Sequence, residues 1–303
     1  MKKFLIGLLL ALSSTFCLAA WPTKPITIIV PYPAGGCGDA LGRIFQPDLE
    51  SILGVPVVYK FMPGAANAVA INHVLSEEND DHTFISVGDD FVTAQYVVGT
   101  KLYEKFTPVT FWATYPALVY GNSTASLDKF KQQIKQGKTV NVGNMGVNGS
   151  YHLWTSGLKS NLTINAVPYK GSAPLLVDVL GGHVEYAVGG LMFAQQLVDD
   201  GKIKPIMVST LNRHPLYKNV PTYRELGIKG EPFVGWQGFV ARKDTSTEAL
   251  EKMSLALRSV VRFNPKIQDQ TKQGLILINL NIPESQKFMN DAVRKVEAIT
   301  ITK

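Results

Sequence analysis

The feature of this sequence that most constrains its fold is the regular alternation of short apolar runs with helical patterns. Runs typical of β-strands cover residues 26–30, 55–61, 83–87, 139–142, 164–169, 183–188, 205–209, 236–241 and 275–279. Helical periodicity covers residues 40–53, 68–75, 127–136, 151–158, 174–180, 192–198, 247–261 and 284–299. Strands that alternate with helices predict an α/β fold with a largely parallel sheet covered on both faces.

Capping residues mark several helix ends. Ser126 and Ser246 stand where helix N-caps are expected, and Gly54, Gly137 and Gly201 stand where helices should stop. The segments 119–123 and 230–236 separate blocks of alternating elements, so we expect the chain to cross there between two lobes. Lobe 1 would then be discontinuous, residues 21–120 plus 233–303, and lobe 2 would be residues 121–232.

The first twenty residues read as an export signal. Lys2 and Lys3 give a charged start, an apolar run follows, and Ala19 and Ala20 are small residues suited to cleavage. We therefore expect a periplasmic protein that begins near Trp21 once the signal peptide, residues 1–20, is removed. The formal charge of +6 would fall to +4 with the loss of the two lysines. The remaining basic residues form no run, which argues against a nucleic-acid partner.

Five glycine-rich loops follow predicted strands: residues 31–39, 62–67, 88–90, 143–152 and 169–174. In open α/β sheets, ligands bind outside the carboxyl ends of the strands, where loops meet helix N-termini. Glycine lets the backbone approach a ligand, and the N–H groups of a first helical turn attract anions. Any one such loop is an ordinary packing device, so it is their number and shared position that predict a cleft for a small anion such as a carboxylate.

Motifs for other chemistry are missing from the sequence. Gly35, Gly36 and Gly38 do not match a dinucleotide fingerprint, and no phosphate-binding loop, nucleophile elbow or zinc-protease motif occurs. Cys37 would be the only cysteine of the mature chain, which excludes an intramolecular disulfide. We expect no enzyme activity, no cofactor and no metal.

Several longer motifs resemble one family. They are W-P-T-K-P-I-T-I-I-V-P-Y-P-A-G-G from Trp21, P-G-A-A-N from Pro63, G-V-N-G-S-Y-H-L from Gly146, V-P-Y-K-G-S-A-P-L-L from Val167 and N-V-P-T-Y-R-E-L-G from Asn219. Their order and content resemble the Bug-type periplasmic receptors of tripartite tricarboxylate transporters. The resemblance implies a two-lobed periplasmic binding protein fold of type II-like topology, with a ligand cleft between the lobes and two hinge crossovers.

The resemblance also implies which residues bind the ligand, chiefly through backbone groups, hydroxyls and water. Carried over by position, they are Tyr32, Ala34, Gly35, Gly36, Cys37, Asp39, Gly64, Ala65, Ala66, Asn67, Asp89, Asp90, Gly146, Asn148, Gly149, Ser150, His152, Tyr169, Lys170, Gly171 and Gly189. Three of these places depart from the family pattern. Ala65-Ala66 stand where a glycine pair is usual, Asp89-Asp90 where small hydroxyl or amide residues are usual, and Gly189 where an acidic or amide residue is frequent.

The roles of several of these residues stay open at this point. Asp89 and Asp90 either face the cleft, where they would favour a ligand with an ammonium or hydroxyl group, or face solvent or cap the following helix. His152 either bonds a ligand or supports its loop. Cys37 lacks a neighbouring histidine pattern and is expected to be structural, Asp39 to cap the first helix, and Trp154 and Trp236 to belong to the core.

The function implied is that of a monomeric receptor, which binds a small organic acid and delivers it to membrane permease subunits by closing its lobes. The acid could be a dicarboxylate or an amino acid. A receptor that signals to a membrane sensor kinase, or an enzyme that uses the same cleft, are the alternatives.

Overall fold

A computed structural model describes residues 20–35, 37–146, 149–169 and 172–301. The strands are β1 Ile26–Val30, β2 Val57–Phe61, β3 Thr83–Gly88, β4 Phe106–Asn122, β5 Thr139–Met145, β6 Thr163–Tyr169, β7 Tyr186–Gly190, β8 Ile203–Val208, β9 Val234–Arg242 and β10 Ile276–Leu277. The α-helices are α1 Cys37–Leu53, α2 Ala68–Ser76, α3 Asp90–Val97, α4 Leu127–Lys135, α5 Ser150–Gly157, α6 Ser172–Gly181, α7 Leu191–Asp199, α8 Thr247–Phe263, α9 Pro265–Asp269 and α10 Ile282–Ile301. The predicted signal peptide lies outside the described residues, apart from Ala20.

One mixed sheet runs through the molecule in the order β2-β1-β3-β9-β4-β7-β5-β6, with β8 and β10 also paired to β4. The outer strands are parallel, as predicted: β1 pairs with β2 and β3, and β5 pairs with β6 and β7. The centre is antiparallel, because β9 runs against both β3 and β4, and β4 runs against β7 and β8. The prediction of a largely parallel sheet was therefore wrong for the central strands.

β4, the longest strand of the described residues, joins the two halves of the sheet and was not predicted from the sequence. Its first part pairs with β9 as far as Pro116, and from Ala117 onward it pairs with β7 and β8. Proline has no N–H to donate to a strand ladder, so Pro108 and Pro116 argue against a strand when the sequence is read alone. Pro108 borders a shift in the register with β9. The chain thus passes between the two halves inside a continuous strand and returns just before β9.

Apolar side chains cover both faces of each half. In the half that contains β1, one core layer is centred on Phe45 and Trp112 and the opposite layer on Phe91 and Phe111. Two further layers cover the faces of the half that contains β5. Within the described part of the chain, no helix combines the length and apolar character needed to cross a membrane.

The predicted helix ends are confirmed. The hydroxyls of Ser126 and Ser246 accept the N–H groups of Lys129 and Ala249, at 3.1 and 3.3 Å. Gly54, Gly137 and Gly201 have φ of +72°, +63° and +68°. This left-handed conformation ends helices and favours glycine.

Candidate functional site

The carboxyl ends of β1 and β3 are tied together by one side chain. Tyr32 follows β1, and its hydroxyl donates to Asp90 Oδ1 at 2.5 Å while it accepts the N–H of Gly88 at 3.1 Å. A Cβ at Gly88 would lie 3.0 Å from this hydroxyl oxygen, and a Cβ at Gly38 would lie 2.9 Å from Val30 Cγ1. Gly88 therefore lets the loop after β3 approach Tyr32, and Gly38 lets α1 pack closely against β1.

The first predicted ligand loop bonds largely to itself. Asp39, in the first turn of α1, accepts the N–H of Gly35 at 2.9 Å and pairs with Arg43 at 2.9 Å. The Gly35 N–H, followed by Arg43, lowers the pKa of Asp39. Ala34 is exposed, Gly36 lies outside the described residues, and the side chain of Cys37 is likewise not described. In this conformation the Gly35 N–H is already used.

The second loop has unusual backbone geometry. Gly64, Ala65 and Asn67 have φ of +128°, +46° and +70°, of which the last two are unusual for residues with side chains. Asn67 is only 3% exposed, and its Nδ2 is buried without a hydrogen-bond partner among the described residues. It lies close enough to Asp90 to oppose a rise in the pKa of that carboxyl. The side chain of Ala66 is outside the description.

The third loop carries two adjacent acidic residues, of which Asp89 is buried and Asp90 is half-buried. Asp89 is 9% exposed and accepts the Tyr115 hydroxyl at 2.9 Å, while Asp90 accepts Tyr32. Asp89 makes no side-chain capping bond to α3. Asp90 lies in the first turn of α3, where the helix dipole favours an acidic residue. The alternative that both residues face solvent was wrong.

The environment of this acidic pair favours protonation. Burial, followed by the charge of Asp90, raises the pKa of Asp89 to about 6. Burial also raises the pKa of Asp90. Burial and the two carboxyls hold the pKa of Tyr32, Tyr115 and Tyr151 well above the usual range, so these hydroxyls remain protonated donors. Among the residues that the structure describes, none forms a salt bridge with either carboxyl.

The fourth loop brings α5 of the second half against α3. Ser150 is 5% exposed, and its Oγ approaches Asp89 closely enough to oppose the rise in the pKa of that carboxyl. The two groups do not reach hydrogen-bond geometry, so Ser150 Oγ is buried without a partner in the described part of the chain. Gly149 is required because a Cβ there would lie 2.8 Å from the Met145 carbonyl oxygen. His152 is half-buried in the first turn of α5.

The remaining predicted residues lie apart from the acidic pair or outside the description. The Gly146 N–H donates to the Tyr169 carbonyl at 2.8 Å, and the Tyr169 hydroxyl donates to Asp178 at 2.8 Å. Gly189 is buried in β7, opposite Leu118 of β4. Asn148, Lys170 and Gly171 lie outside the described residues.

A cavity of about 270 Å³ adjoins Asp89 on the side of the chain's return crossing. Of the predicted site residues that the structure describes, Asp89 and Ser150 line it. Its walls are mainly apolar and include Trp154, Phe233, Trp236 and Phe288. Trp154 and Trp236 were expected in the core, and both are buried there while also forming part of this wall. Tyr115 and Phe288 were not predicted from the sequence, because Tyr115 lies in the unpredicted strand β4 and Phe288 joins the cavity wall only through the packing of α10 against α3.

Comparison with known proteins identifies a family over most of the chain. Residues 41–303 match the model of the tripartite tricarboxylate transporter family receptor, TctC. A protein from the tcbD–tcbE intergenic region of Pseudomonas sp. (strain P51) is 26% identical over 90% of this chain and 85% of its own length. Protein BugT of Bordetella pertussis is 24% identical over 91% of this chain and 88% of its own length.

Solved structures share the fold. A TctC solute binding protein from Polaromonas, solved with no ligand, is 26% identical, with a TM-score of 0.72 over 92% of this chain and 97% of its own. MatC from Rhodopseudomonas palustris with bound malate is 24% identical, with a TM-score of 0.75 over 92% and 99% of the two chains. An R. palustris protein with adipate is 24% identical, with a TM-score of 0.80 over 93% and 98%.

Proposed function

Because the chain belongs to the TctC family of periplasmic solute receptors, we propose that it captures a small organic carboxylate and delivers it to the membrane permease of a tripartite transporter. The ligand would lie among the loops that follow β1, β2, β3 and β5. Two proteins of the same fold, solved with malate and with adipate, support a carboxylate as the ligand class.

The observation that carries the proposal is a pair of buried donors that have no hydrogen-bond partner among the described residues. Asn67 Nδ2 comes from the loop after β2, and Ser150 Oγ from the first turn of α5. Leaving such groups unsatisfied costs about 1–3 kcal/mol each, and a ligand oxygen would remove that cost. A carboxylate has two acceptor oxygens and so matches donors from two loops. The N-terminal turn of α5 adds a favourable dipole for an anion.

The two halves of the sheet would act as lobes, 21–120 plus 233–303 and 121–232, that close on the ligand. The chain crosses between them in β4 and again before β9, so two connections could act as a hinge. Small-angle scattering of the mature protein should give a smaller radius of gyration with a saturating ligand than without it. An unchanged radius would contradict closure but leave binding intact.

Binding is tested on the 21–303 protein after unfolding and refolding to remove any co-purified ligand. A panel of mono- and dicarboxylates, aromatic acids and amino acids is screened by thermal unfolding. A ligand at 100 times its dissociation constant should add about 2.7 kcal/mol to the free energy of unfolding. Failure of every carboxylate to stabilise the protein would overturn the proposal, as would recovery of the ligand in a chemically altered form.

Variants connect the binding to the two donors. Asn67→Ala and Ser150→Ala should each weaken binding of the identified ligand about 10- to 100-fold, as expected for a lost hydrogen bond to a charged group. Ser246→Ala is the matched control, because it removes a helix cap on α8 and should lower stability without changing affinity. Equal affinity in all four proteins would exclude both donors from the site.

Delivery to a permease is tested in cells. Deletion of the gene should abolish uptake of the radiolabelled ligand at low concentration, and expression of the chain should restore uptake. Normal uptake in the deletion strain, together with loss of a ligand-dependent transcriptional response, would instead favour the signalling alternative.

A further inference from the structure

Among the residues that the structure describes, the acidic pair after β3 has no counter-charge. Asp89 and Asp90 are adjacent, and each accepts one tyrosine hydroxyl, at 2.9 and 2.5 Å respectively. Within the described ranges, neither carboxyl has a cationic partner. Burying an unpaired carboxylate is costly, so such a pair must hold a proton or receive a cation from outside the described residues, for which a ligand is the candidate.

The charged groups that the structure describes around the pair do not supply that cation. Tyr32, Tyr115 and Tyr151 face it from the first loop, from β4 and from α5, and all three remain neutral. On α10, which also borders the cavity, Lys295 is exposed and Asp291 is paired with Lys287 and Arg294.

Two buried donors that lack a hydrogen-bond partner in the described part of the chain lie beside these acceptors, and they form an independent observation. Ser150 Oγ is buried, lines the same cavity as Asp89 and approaches that carboxyl. Asn67 Nδ2 is buried close to Asp90. Negatively charged acceptors and these two donors therefore lie side by side. A ligand that complements them needs a cationic donor and an anionic acceptor on neighbouring atoms.

We propose that the ligand is an α-amino acid whose ammonium group lies between Asp89 and Asp90 and whose α-carboxylate accepts from Ser150 Oγ and Asn67 Nδ2. This inference rests on the proposed carboxylate receptor function and narrows its ligand class. Plain dicarboxylates are disfavoured because the acidic pair would repel them as water leaves the site. An α-hydroxy acid could donate one hydrogen bond but would leave the charge uncompensated.

Matched ligand sets separate these possibilities. Calorimetric titration of the refolded 21–303 protein compares aspartate, malate and succinate; glutamate, 2-hydroxyglutarate and glutarate; and leucine, 2-hydroxyisocaproate and 4-methylpentanoate. Each set keeps the skeleton and changes only the α-substituent from amine to hydroxyl to hydrogen. In at least one set, the amine should bind about 100-fold more tightly than the hydrogen analogue, as expected for a buried charge pair.

Variants test whether the acidic pair is the cause. Asp89→Asn and Asp90→Asn should each reduce the preference for the amine over the hydrogen analogue by at least about tenfold. Asp244→Asn, which changes an exposed acid paired with Arg242, should leave the preference unchanged. Circular dichroism verifies that each variant is folded.

The outcomes distinguish the inference from the function on which it rests. Equal or tighter binding of hydroxy or plain acids overturns the inference and leaves the carboxylate receptor standing. An amine preference that survives both Asp→Asn changes also overturns it. Failure of every ligand in all three sets overturns the inference, and failure of the wider carboxylate panel overturns the proposed function as well.

Discussion

Two acidic loops of this molecule occupy equivalent places and are built in opposite ways. Asp39 follows β1 and Asp89 follows β3, each at the start of a helix. Asp39 accepts a backbone N–H and pairs with Arg43, so its pKa is lowered. Asp89 is buried beside another carboxyl and has a pKa raised to about 6. The comparison separates a carboxyl that stabilises its own loop from one that is kept at a cost in stability, as expected of a binding group.

The largest expected effect is the gain in stability when the buried carboxyl of Asp89 is replaced by a neutral amide. The pKa of Asp89 lies about two units above its ordinary value, so the charged form costs up to about 3 kcal/mol at neutral pH. Asp89→Asn should therefore raise the free energy of unfolding of the ligand-free protein at pH 7.5 by up to that amount, measured by urea denaturation.

The pH dependence gives the sign of this prediction. Because the folded-state pKa of Asp89 is raised, the cost is present above about pH 6 and disappears as the pH falls towards 4. The difference between Asp89→Asn and the wild type should shrink over that window. A variant that is less stable than the wild type at pH 7.5 would mean that Asp89 is satisfied in the folded protein.

The sequence predicted where Asp39 and Asp89 lie in the fold, but it did not predict that their environments would differ. Apolar runs and helix caps located most elements, and the rule for ligand loops at strand ends located both Asp39 and Asp89. The burial of Asp89 depends on Tyr115 and Ser150, which come from β4 and α5, distant in sequence. β4 was not predicted because Pro108 and Pro116 are atypical of a central strand. With β4 unknown, no local pattern could show which of the two acids would lack a counter-charge.

The second effect concerns proton coupling of ligand binding. An ammonium group at Asp89 favours the charged carboxylate, so amino acid binding should release up to one proton near pH 6 and weaken up to about tenfold per pH unit below it. The groups that face Asp89 are Asp90, Tyr32, Tyr115 and Tyr151, and the tyrosines do not titrate in this range.

Calorimetry in buffers of different ionisation enthalpy counts the protons exchanged. Asp89→Asn should release fewer protons than the wild type, and Asp244→Asn should release the same number. Proton uptake on amino acid binding would show that Asp89 becomes protonated in the complex, which contradicts an ammonium partner.

A smaller effect follows from removing the hydroxyl that supports Asp89. Tyr115→Phe deletes the 2.9 Å hydrogen bond to this carboxyl and should lower the free energy of unfolding at pH 7.5 by about 1 kcal/mol. The loss should diminish near pH 5, where Asp89 is protonated. Tyr217→Phe is the matched control, because its hydroxyl donates at 2.8 Å to the uncharged side chain of Gln195. An equal pH response in both variants would separate Tyr115 from the charge on Asp89.

The smallest effect is expected at Asp39, the acid whose carboxylate is hydrogen-bonded and paired with Arg43. The pKa of Asp39 is lowered by the Gly35 N–H and then by Arg43, so its stabilising contribution is present above its unfolded pKa and is lost as the pH falls through its folded pKa. Asp39→Asn should therefore lower the thermal midpoint at pH 7, the opposite sign to Asp89→Asn, because the amide can still accept the N–H but no longer pairs with Arg43. The shift should be small, since Arg43 is largely exposed.

Below the pKa of Asp39, the variant and the wild type should have the same thermal midpoint. A higher midpoint for Asp39→Asn at pH 7 would mean that the charge of Asp39, like that of Asp89, destabilises the folded protein. The first loop would then become a second candidate for contact with the ligand's ammonium group.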